Sequence, residues 1–360
     1  MFRRAAGAHQ QPFPLFPVLR SRHMYASLDS LSTLGIAALM AGLSITAFSN
    51  TDPGNLSTGW ANGTYQRGYE DRFETSVPAH ESAVALWAAV KWGMFQEPAT
   101  GAVAGRGGWL FTAEEFAEPR DTRDFAQELE RISTTLAADE IALVPVVVPD
   151  KARMQAHRLK RGRSAGFERR YDWALAQIRD AGLVAIDLRE ALGFADSYMR
   201  TDTHWSPEGA RMSATAIAKA LGDFDIPMAE VDTNQTGAKA FDGDLLSFVA
   251  TGRYRDLVGP EPERIKTFET SVATTGGLFG AADIPVALVG TSFSAKADFH
   301  FEGFLKQALQ SDVLNLSQVG QGPFVPMDAF LKERATLSSL PSVVVWEIPE
   351  RFLTSRRQLP

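Results

Sequence analysis

Three residues of this chain have the types that nucleophilic acyl chemistry needs. Asp202 stands two residues before His204, and Ser292 follows Gly290 and Thr291 further along the chain. A serine hydroxyl is a poor nucleophile at neutral pH, so it needs an imidazole to accept its proton, and the imidazole needs a carboxylate to fix its tautomer. We therefore predict Ser292 as a nucleophile, His204 as its general base and Asp202 as the group that orients the base.

The serine lies where a buried strand is predicted to end. The run from Pro285 to Val289 is short, apolar and partly β-branched, which is typical of a parallel strand buried on both faces. Gly290 ends the run, so Ser292 would lie in the turn at the carboxyl end of the strand. Open α/β sheets place their functional sites at that edge.

The carboxylate and the imidazole are predicted at the start of a helix. Ser206 suits the N-cap, Pro207 suits the first helical position, and residues 210–221 carry an Ala/Ile/Leu face. Asp202 and His204 would therefore be held at the mouth of a helix rather than on a free loop. Each pattern alone is common, because Asp-x-His pairs occur at surfaces and Ser and Thr favour turns. The inference depends on their conjunction and on the flanking sequence.

Apolar periodicity predicts alternating strands and helices along the chain. Residues 231–275 are of mixed polarity and are predicted as an insertion or lid. The alternation favours a mostly parallel sheet with helices on both faces. Strands are predicted at 108–111, 141–148, 183–187, 285–289, 313–316 and 343–348, and helices at 81–94, 123–137, 167–181, 207–221 and 301–310.

A family resemblance is carried by several segments. Thr201 to Ala210, Thr-Asp-Thr-His-Trp-Ser-Pro-Glu-Gly-Ala, resembles the signature of the SGNH-hydrolase-like alginate O-acetyltransferases of the AlgJ/AlgX family. The resemblance covers roughly residues 80–355 and is closer to the membrane-anchored AlgJ branch, because no carbohydrate-binding module follows the catalytic region. Further segments that agree are Gly105–Phe111, Val148–Lys151, Leu288–Ser294, Phe301–Leu305, Asp312–Asn315, Gly320–Pro323 and Trp346–Leu353.

The resemblance implies residue roles and a fold. In this family the Ser of Gly-Thr-Ser is the nucleophile and Asp-x-His supplies the orienting group and the base, which carries over to Ser292, Asp202 and His204. Ordinary SGNH esterases place the nucleophile on the first strand and Asp-x-His near the C-terminus. Asp-x-His comes first here, so the resemblance implies an SGNH-hydrolase-like α/β sheet in permuted order.

The resemblance also implies an activity, an O-acetyltransferase of an exopolysaccharide, with alginate as the leading acceptor and cellulose as an example of another. Acetyl would pass through an acetyl-serine ester to sugar hydroxyls during polymer synthesis and export. The implied partners are the polysaccharide, a membrane-bound O-acyltransferase that supplies the donor, and the polymer export complex, with no bound cofactor. Two alternatives stay open: a polysaccharide acetyl esterase, in which water replaces the sugar, and a non-catalytic polysaccharide-binding component of the export complex.

Composition narrows the classes of function. The chain has 360 residues, a formal net charge of −7 and a pI near 5.5, so nothing favours nucleic acid as a partner. It has no cysteine, which excludes disulfides, thiolate nucleophiles and cysteine zinc sites. Its six histidines show no metal-binding spacing, so we expect no metal.

One N-terminal segment is apolar enough to cross a membrane. Residues 31–48 are nearly unbroken apolar sequence, with Arg20 and Arg22 before them and Asp52 after them. This charge distribution orients the N-terminus inside, so we predict an uncleaved signal anchor, and a location on the periplasmic side of the bacterial inner membrane, with a cleaved signal peptide as the alternative. The predicted parts are a cytoplasmic tail, the anchor, a linker rich in Gly, Asn, Thr and Ser, and the SGNH-like domain, at residues 1–30, 31–48, 49–79 and 80–355.

Four further residues are candidates for contact with substrate. Lys151 follows a predicted strand and would hold an acidic sugar or orient the donor. Trp205, beside the base, would either stack on a sugar ring or pack as a wall. Backbone amides around Gly322 would approach an oxyanion, since glycine permits close contact. Arg351 would form an ion pair with Glu347 at the rim of the site. The alternatives are a solvated turn for Lys151, a tight turn for Gly322 and a structural role for Arg351.

Overall fold

The computed structural model describes residues 22–55, 59–119, 123–273 and 284–353, with the side chains of residues 22–32 outside that description. The chain divides into two compact units, Met1–Val84 and Ala85–Pro360. The helices are α1 Arg22–Asn50, α2 Thr64–Ser76, α3 His80–Val90, α4 Phe125–Ala137, α5 Lys151–Met154, α6 Ala165–Asp180, α7 Pro207–Ala220, α8 Arg255–Val258, α9 Ser292–Ala295, α10 Phe301–Leu309 and α11 Phe324–Glu333. The strands are β1 Ala102–Ala104, β2 Leu110–Thr112, β3 Ala142–Val148, β4 Val231–Phe241, β5 Glu263–Val272, β6 Val286–Val289, β7 Val313–Asn315 and β8 Val343–Pro349.

The first unit contains the predicted membrane segment. Helix α1 includes the stretch Thr33–Asn50, which is long and apolar enough to cross a membrane, with a mean hydropathy of 1.4. This stretch overlaps the predicted segment at 31–48. Helix α1 begins inside the segment predicted as a tail, and residues 1–21 of that tail lie outside the described residues.

The segment predicted as a linker contains a helix. Helix α2 buries none of its residues, and the Arg72 guanidinium fastens it to the chain after α1 by donating to the carbonyl oxygen of Asp52 at 2.9 Å. The aromatic side chains of Tyr65, Tyr69 and Phe73 recur every four residues and form a row of near-parallel rings. That spacing is a helical signal which the Gly- and Ser-rich composition of the segment concealed.

The second unit is built on a four-stranded parallel sheet with the strand order β3-β8-β6-β7. Val286 of β6 pairs with Val313 of β7 on one side and with Val343 of β8 on the other. All residues of β8 are buried, and β8 lies between β3 and β6 although it is the last strand of the described residues. Its β-branched side chains suit a strand that is covered on both faces.

Helices cover both faces of this sheet. Successive strand residues point to opposite faces, so the apolar side chains divide into two cores. Val286 and Leu288 lie in the core that α7 and α10 cover, whereas Ala287 and Val289 lie in the core that α4, α6 and α11 cover. The predicted α/β class, with a mostly parallel sheet between two layers of helices, is confirmed.

The strand predicted at residues 183–187 is wrong. These residues are irregular, although their apolar side chains are used: Ala185 packs against one core and Ile186 lies in the other. A short apolar run predicts burial but does not specify a strand partner, so the segment packs without pairing. Helix α11, which covers one face of the sheet, was not predicted from the sequence.

Residues 231–273 form an insertion outside the parallel sheet. Strands β4 and β5 pair as an antiparallel hairpin with a bulge between Gln235 and Gly237. The segment that joins them contains the 3₁₀ helix Asp244–Phe248 and the short helix α8. The predicted insertion or lid is therefore a two-stranded hairpin. The segment that connects its strands approaches His204 through Asp244.

Candidate active site

Ser292 lies in the turn that the sequence predicts. Strand β6 ends at Val289, Thr291 caps the short helix α9 by accepting a hydrogen bond from the Phe293 amide at 3.3 Å, and Ser292 is the first residue of that helix. Gly290 has no room for a side chain, since an added Cβ would lie 2.5 Å from a carboxylate oxygen of Glu347. The turn therefore depends on glycine at this position.

Glu347 fixes this turn from inside the sheet. Its buried carboxylate, on β8, accepts hydrogen bonds from the amide of Thr291 at 2.7 Å, from the hydroxyl of Thr291 at 3.0 Å and from the hydroxyl of Ser294 at 3.1 Å. Burial raises the pKa of the Glu347 carboxyl to about 7, although these hydrogen bonds oppose the shift. Sequence reasoning placed Glu347 at the rim, but a charged residue inside an apolar strand is a signal for a buried hydrogen-bond acceptor.

The base loop, residues 199–206, lies before α7 as predicted. Ser206 caps α7 by accepting a hydrogen bond from the Gly209 amide at 3.1 Å, and Pro207 is the first helical residue. The loop is closed on itself, because the Met199 amide donates to the carbonyl oxygen of His204 at 3.1 Å. These local bonds hold Asp202 and His204 at the helix mouth.

The structure brings the three predicted residues into one chain of hydrogen bonds. Nδ1 of His204 is 2.5 Å from Oδ1 of Asp202, and Nε2 of His204 is 2.7 Å from Oγ of Ser292. With the Nδ1 proton donated to the carboxylate, Nε2 is left to accept the serine proton. Asp202 and His204 are almost fully buried, whereas Ser292 is partly exposed. The arrangement gives a reachable hydroxyl with an oriented base behind it.

The electrostatics of the pair suit a neutral base beside a charged carboxylate. Burial lowers the pKa of the His204 imidazole, although the hydrogen bond and charge of Asp202 oppose the shift. Burial alone would raise the pKa of the Asp202 carboxyl, but the hydrogen bond and charge of His204 hold it well below its usual range. At neutral pH the imidazole is therefore free to take a proton.

Aromatic rings wall the imidazole. The Phe299 ring lies nearly parallel to that of His204, with centroids 5.1 Å apart, and the Phe293 ring is 4.7 Å away. Trp205 is completely buried between Phe293 and Phe301, so it is not placed to stack on a sugar ring. This placement differs from the first expectation for Trp205 and agrees with the alternative of a packed wall.

Lys151 supports the base loop from below. Its side chain is about 1% exposed, and Nζ donates to the carbonyl oxygens of Leu110, of Arg200 at 3.0 Å and of Asp202 at 2.8 Å. An ammonium group has three protons, so no donor is left for an acidic sugar. This geometry corrects the expectation that Lys151 holds substrate. Burial also lowers the pKa of the Lys151 ammonium group to about 8.

The two remaining candidates are Arg351 and Gly322. Arg351 is 7% exposed and donates through Nε to Glu114 at 3.0 Å, so the predicted pairing with Glu347 is replaced by one with a different glutamate. Its guanidinium also lies over the ring of Phe293, 5.5 Å from the centroid. Gly322 has a φ of 65°, which accounts for glycine in that turn.

Asp202, His204 and Asp244 form a group in which three possible metal-ligand atoms lie within 4.8 Å of one another. Both ring nitrogens of His204 already take part in hydrogen bonds, and the Asp202 carboxylate accepts three. A metal ligand must offer a free lone pair to the ion. We therefore interpret the group as a hydrogen-bond network.

A parallel α/β sheet that presents a serine, an imidazole and a carboxylate at its carboxyl edge is the architecture of acyl-transferring and ester-cleaving serine enzymes. Comparison with known proteins narrows this class. The family model for the SGNH hydrolase-like domain of acetyltransferase AlgX matches residues 102–350. This match covers well over half of the chain, which therefore belongs to that family.

Curated relatives show which branch is nearer. The probable alginate O-acetylase AlgJ of Pseudomonas putida is 33% identical over 351 residues, covering 92% of this chain and 90% of the relative. The protein of the same name from Pseudomonas aeruginosa is 34% identical over 314 residues, covering 81% and 80%. The alginate biosynthesis protein AlgX of Pseudomonas aeruginosa is 27% identical and covers 63% of this chain and 50% of the relative. The chain is nearer to the AlgJ type.

Solved structures agree with the fold. The O-acetyltransferase domain of Pseudomonas putida AlgJ superposes with a TM-score of 0.62 and 35% identity, covering 71% of this chain and 92% of that domain. The structure of Pseudomonas aeruginosa AlgX superposes with a TM-score of 0.58 at 24% identity and has the same fold. The predicted SGNH-hydrolase-like fold and the predicted family are both confirmed.

Proposed function

We propose that this protein transfers acetyl groups to hydroxyls of an exopolysaccharide, with alginate as the acceptor, through an acetyl ester on Ser292. The observation that carries the proposal is the unbroken hydrogen-bond chain from Asp202 through His204 to Ser292, with a 2.7 Å contact between imidazole and hydroxyl. Support for the substrate comes from the family and from relatives named as probable alginate O-acetylases.

In the first half-reaction Ser292 is acetylated. Nε2 of His204 accepts the hydroxyl proton while Oγ forms a bond to the carbonyl carbon of the donor, and a tetrahedral intermediate results. As the donor bond breaks, His204 returns the proton to the leaving group. Asp202 keeps the imidazole oriented and stabilises its positive charge while the proton is held.

In the second half-reaction a sugar hydroxyl takes the acetyl group. His204 accepts the proton of the sugar hydroxyl, whose oxygen attacks the carbonyl carbon of acetyl-Ser292. The intermediate collapses, the bond to Oγ breaks, and His204 returns the proton to Ser292. The chain itself supplies each proton carrier, so the proposal needs no bound cofactor. Backbone amides near Gly322 remain our candidates for holding the oxyanion.

The proposal includes a place and a partner. We infer that α1 anchors the protein in the bacterial inner membrane with the second unit on the periplasmic side, because basic residues precede the apolar stretch and an acidic residue follows it. The donor is then supplied by a membrane-bound O-acyltransferase that works with the polymer export complex. An anchored enzyme meets the polymer before it leaves the cell.

The test uses the full chain in lipid nanodiscs with a chromogenic acetyl ester, with and without oligomannuronate. We expect acetyl on the sugar by mass spectrometry with the wild type and none with Ser292→Ala. Ser294→Ala is the matched control, because Ser294 lies two residues away and its hydroxyl donates to Glu347 rather than to His204; it should retain activity within about tenfold.

The other outcomes reject the proposal in different ways. Release of free acetate that requires Ser292, at a rate that does not change when the sugar is added, would identify an acetyl esterase. Equal activity of the wild type and Ser292→Ala would remove the serine from the chemistry. Unchanged polymer acetylation in cells that carry Ser292→Ala would identify a non-catalytic component of the export complex.

A further inference from the structure

The insertion supplies a second carboxylate to the base. Asp244 is the first residue of the 3₁₀ helix Asp244–Phe248, between β4 and β5. Its Oδ2 lies 3.5 Å from Nδ1 of His204, on the side of the ring that Asp202 also contacts. The Asp244 side chain is 36% exposed, whereas that of Asp202 is 1% exposed, so the two carboxylates differ in their access to solvent.

The same residue clamps the base loop. The Asp244 amide donates to Oδ2 of Asp202 at 2.8 Å, and Oδ1 of Asp244 accepts from the amide of Thr203 at 2.8 Å and from its hydroxyl at 3.1 Å. These hydrogen bonds reach Asp202 and Thr203, and the charge contact at 3.5 Å reaches His204, so Asp244 touches all three positions of the turn. Asp244 therefore contacts the turn in both directions, as donor and as acceptor.

The backbone next to Asp244 presses directly on the loop. A Cβ added at Gly243 would lie 2.1 Å from the carbonyl oxygen of Thr201 and 2.6 Å from the amide nitrogen of Asp202. The amide of Leu245 donates to the carbonyl oxygen of Thr201 at 3.2 Å. Close packing of this kind leaves no room for a side chain at position 243 between the insertion and the loop.

Charges around the imidazole come from several elements. Nζ of Lys296, which follows α9, lies 3.6 Å from Oδ2 of Asp244. Lys151 donates to the carbonyl oxygen of Asp202, and Glu263 on β5 accepts hydrogen bonds from the amide and hydroxyl of Thr201. The acidic groups around the base loop thus include Asp202, Asp244 and Glu263. The basic groups include Lys151, Lys296 and Arg200, whose guanidinium is directed away to the carbonyl oxygen of Glu261 at 2.6 Å.

We propose that Asp244 is a positioning residue for the acetyl-transfer reaction: it holds the Asp202-Thr203-His204 turn and places a second negative charge beside Nδ1. The charge makes His204 a stronger base and stabilises the imidazolium that forms when the Ser292 proton is taken. Lys296 limits the effect, because it is attracted to the same carboxylate oxygen. The inference rests on the proposed role of His204 as the base.

The first test compares pH profiles of kcat with the chromogenic acetyl ester for the full chain and Asp244→Asn. Asparagine keeps an oxygen for Thr203 but removes the charge. We expect kcat to fall about tenfold with KM unchanged, and the acid limb to move about one unit toward lower pH, since an imidazole with one fewer negative neighbour loses its proton more easily. Lys296→Met should move the limb about half a unit toward higher pH.

The control is Asp242→Asn, which lies two residues away in the same insertion and pairs with Arg255 at the surface. It should leave kcat and the acid limb unchanged. An equal shift with Asp242→Asn, or a lower kcat with an unmoved limb in Asp244→Asn, would overturn the proposal, because a merely structural role does not change the affinity of His204 for a proton.

A second readout does not need activity. The titration of the His204 ring is followed by NMR in protein with labelled histidine, with the signal assigned by its loss in His204→Gln. We expect its pKa to fall in Asp244→Asn and in Asp244→Ser, which provides a second uncharged variant if the first folds poorly. The result separates the two ideas: an inactive wild type rejects the proposed function, whereas an unshifted His204 pKa rejects the role of Asp244.

Discussion

The base loop and the nucleophile turn are held in place by different means. The base loop, residues 199–206, is fixed by polar groups that come from distant parts of the chain: Lys151 from α5, and Asp244 and Glu263 from two places in the insertion. The nucleophile turn, residues 290–295, follows a buried strand and is braced by one buried carboxylate in the neighbouring strand. The base loop therefore depends on contacts with the insertion, whereas the nucleophile turn depends on the parallel sheet.

The two buried carboxylates show what this difference does. Asp202 has a cationic partner whenever His204 is protonated, so its pKa stays well below the usual range. Glu347 accepts hydrogen bonds from a threonine and a serine, which are weaker partners, and burial raises its pKa to about 7. Asp202 thus stays charged beside the imidazole, whereas Glu347 serves as a hydrogen-bond acceptor whose charge is costly.

The largest effect should come from the base loop. Asp202→Asn removes the charge and favours the wrong imidazole tautomer, so we expect kcat to fall by about 10³ to 10⁴ while the fold is kept. Asp187→Asn, an exposed aspartate paired with Arg189, is the control and should be neutral. The measurement is steady-state hydrolysis of the acetyl ester, and a loss below about tenfold would contradict the orienting role of Asp202.

The carboxylate that braces the nucleophile turn should make the stability of the protein depend on pH. The pKa of Glu347 is about 7 in the folded protein against an ordinary 4.5, so the folded state binds this proton more tightly. The protonated Glu347 carboxyl therefore contributes its full share to the free energy of unfolding below pH 4.5. This stabilisation falls by about 3 kcal/mol as the pH rises to 7. Glu347→Gln should remove this loss.

Denaturant unfolding between pH 5 and pH 7.5 checks the role of Glu347. Burial also raises the pKa of Glu115 to about 7. Because Glu115 is present in both the wild type and Glu347→Gln, the difference between their stability curves isolates the effect of Glu347. Parallel stability curves for the wild type and Glu347→Gln would show that the carboxyl ionises as it does in the unfolded chain.

Two glycine substitutions sharpen the comparison. Gly243→Ala presses a methyl group onto the backbone of Thr201, whereas Gly290→Ala meets the side chain of Glu347. Backbone yields less than a side chain, so we expect destabilisation near the upper end of about 1–3 kcal/mol for Gly243→Ala and near the lower end for Gly290→Ala. The reverse order in thermal unfolding would mean that the insertion moves aside easily.

The smallest effect should come from the wall between the two regions. Trp205→Phe keeps an aromatic ring between Phe293 and Phe301 and removes a buried indole N–H that has no hydrogen-bond partner among the described residues. We expect a loss of about 1 kcal/mol in stability and an unchanged KM for oligomannuronate. A large rise in that KM would restore Trp205 as a sugar contact.

The parts of the site that the sequence predicted are those with local signals. Asp202 and His204 precede a helix start marked by Ser206 and Pro207, and Ser292 follows an apolar run that ends in glycine. Each pattern is complete within a few residues, so each could be placed on its element without knowledge of the tertiary fold.

The parts that were missed depend on distant contacts. Asp244 lies 42 residues after Asp202, in a segment of mixed polarity, and nothing in its neighbourhood indicates that it turns back to the base. Lys151 was expected to face a sugar because it follows a strand, but three carbonyl oxygens from other segments bury it. Local sequence gives the position of a side chain along an element, and tertiary packing decides what it faces.

The place of β8 in the sheet sets the order in which the protein can be completed. During synthesis the base loop leaves the ribosome first, the serine follows 88 residues later, and β8, which lies between β3 and β6, emerges after both. A nascent chain that has emerged only as far as α11 therefore carries base and nucleophile without the sheet that aligns them. We therefore expect a chain truncated before residue 343 to lack the alignment of Ser292 with His204 and to be inert in acetyl transfer.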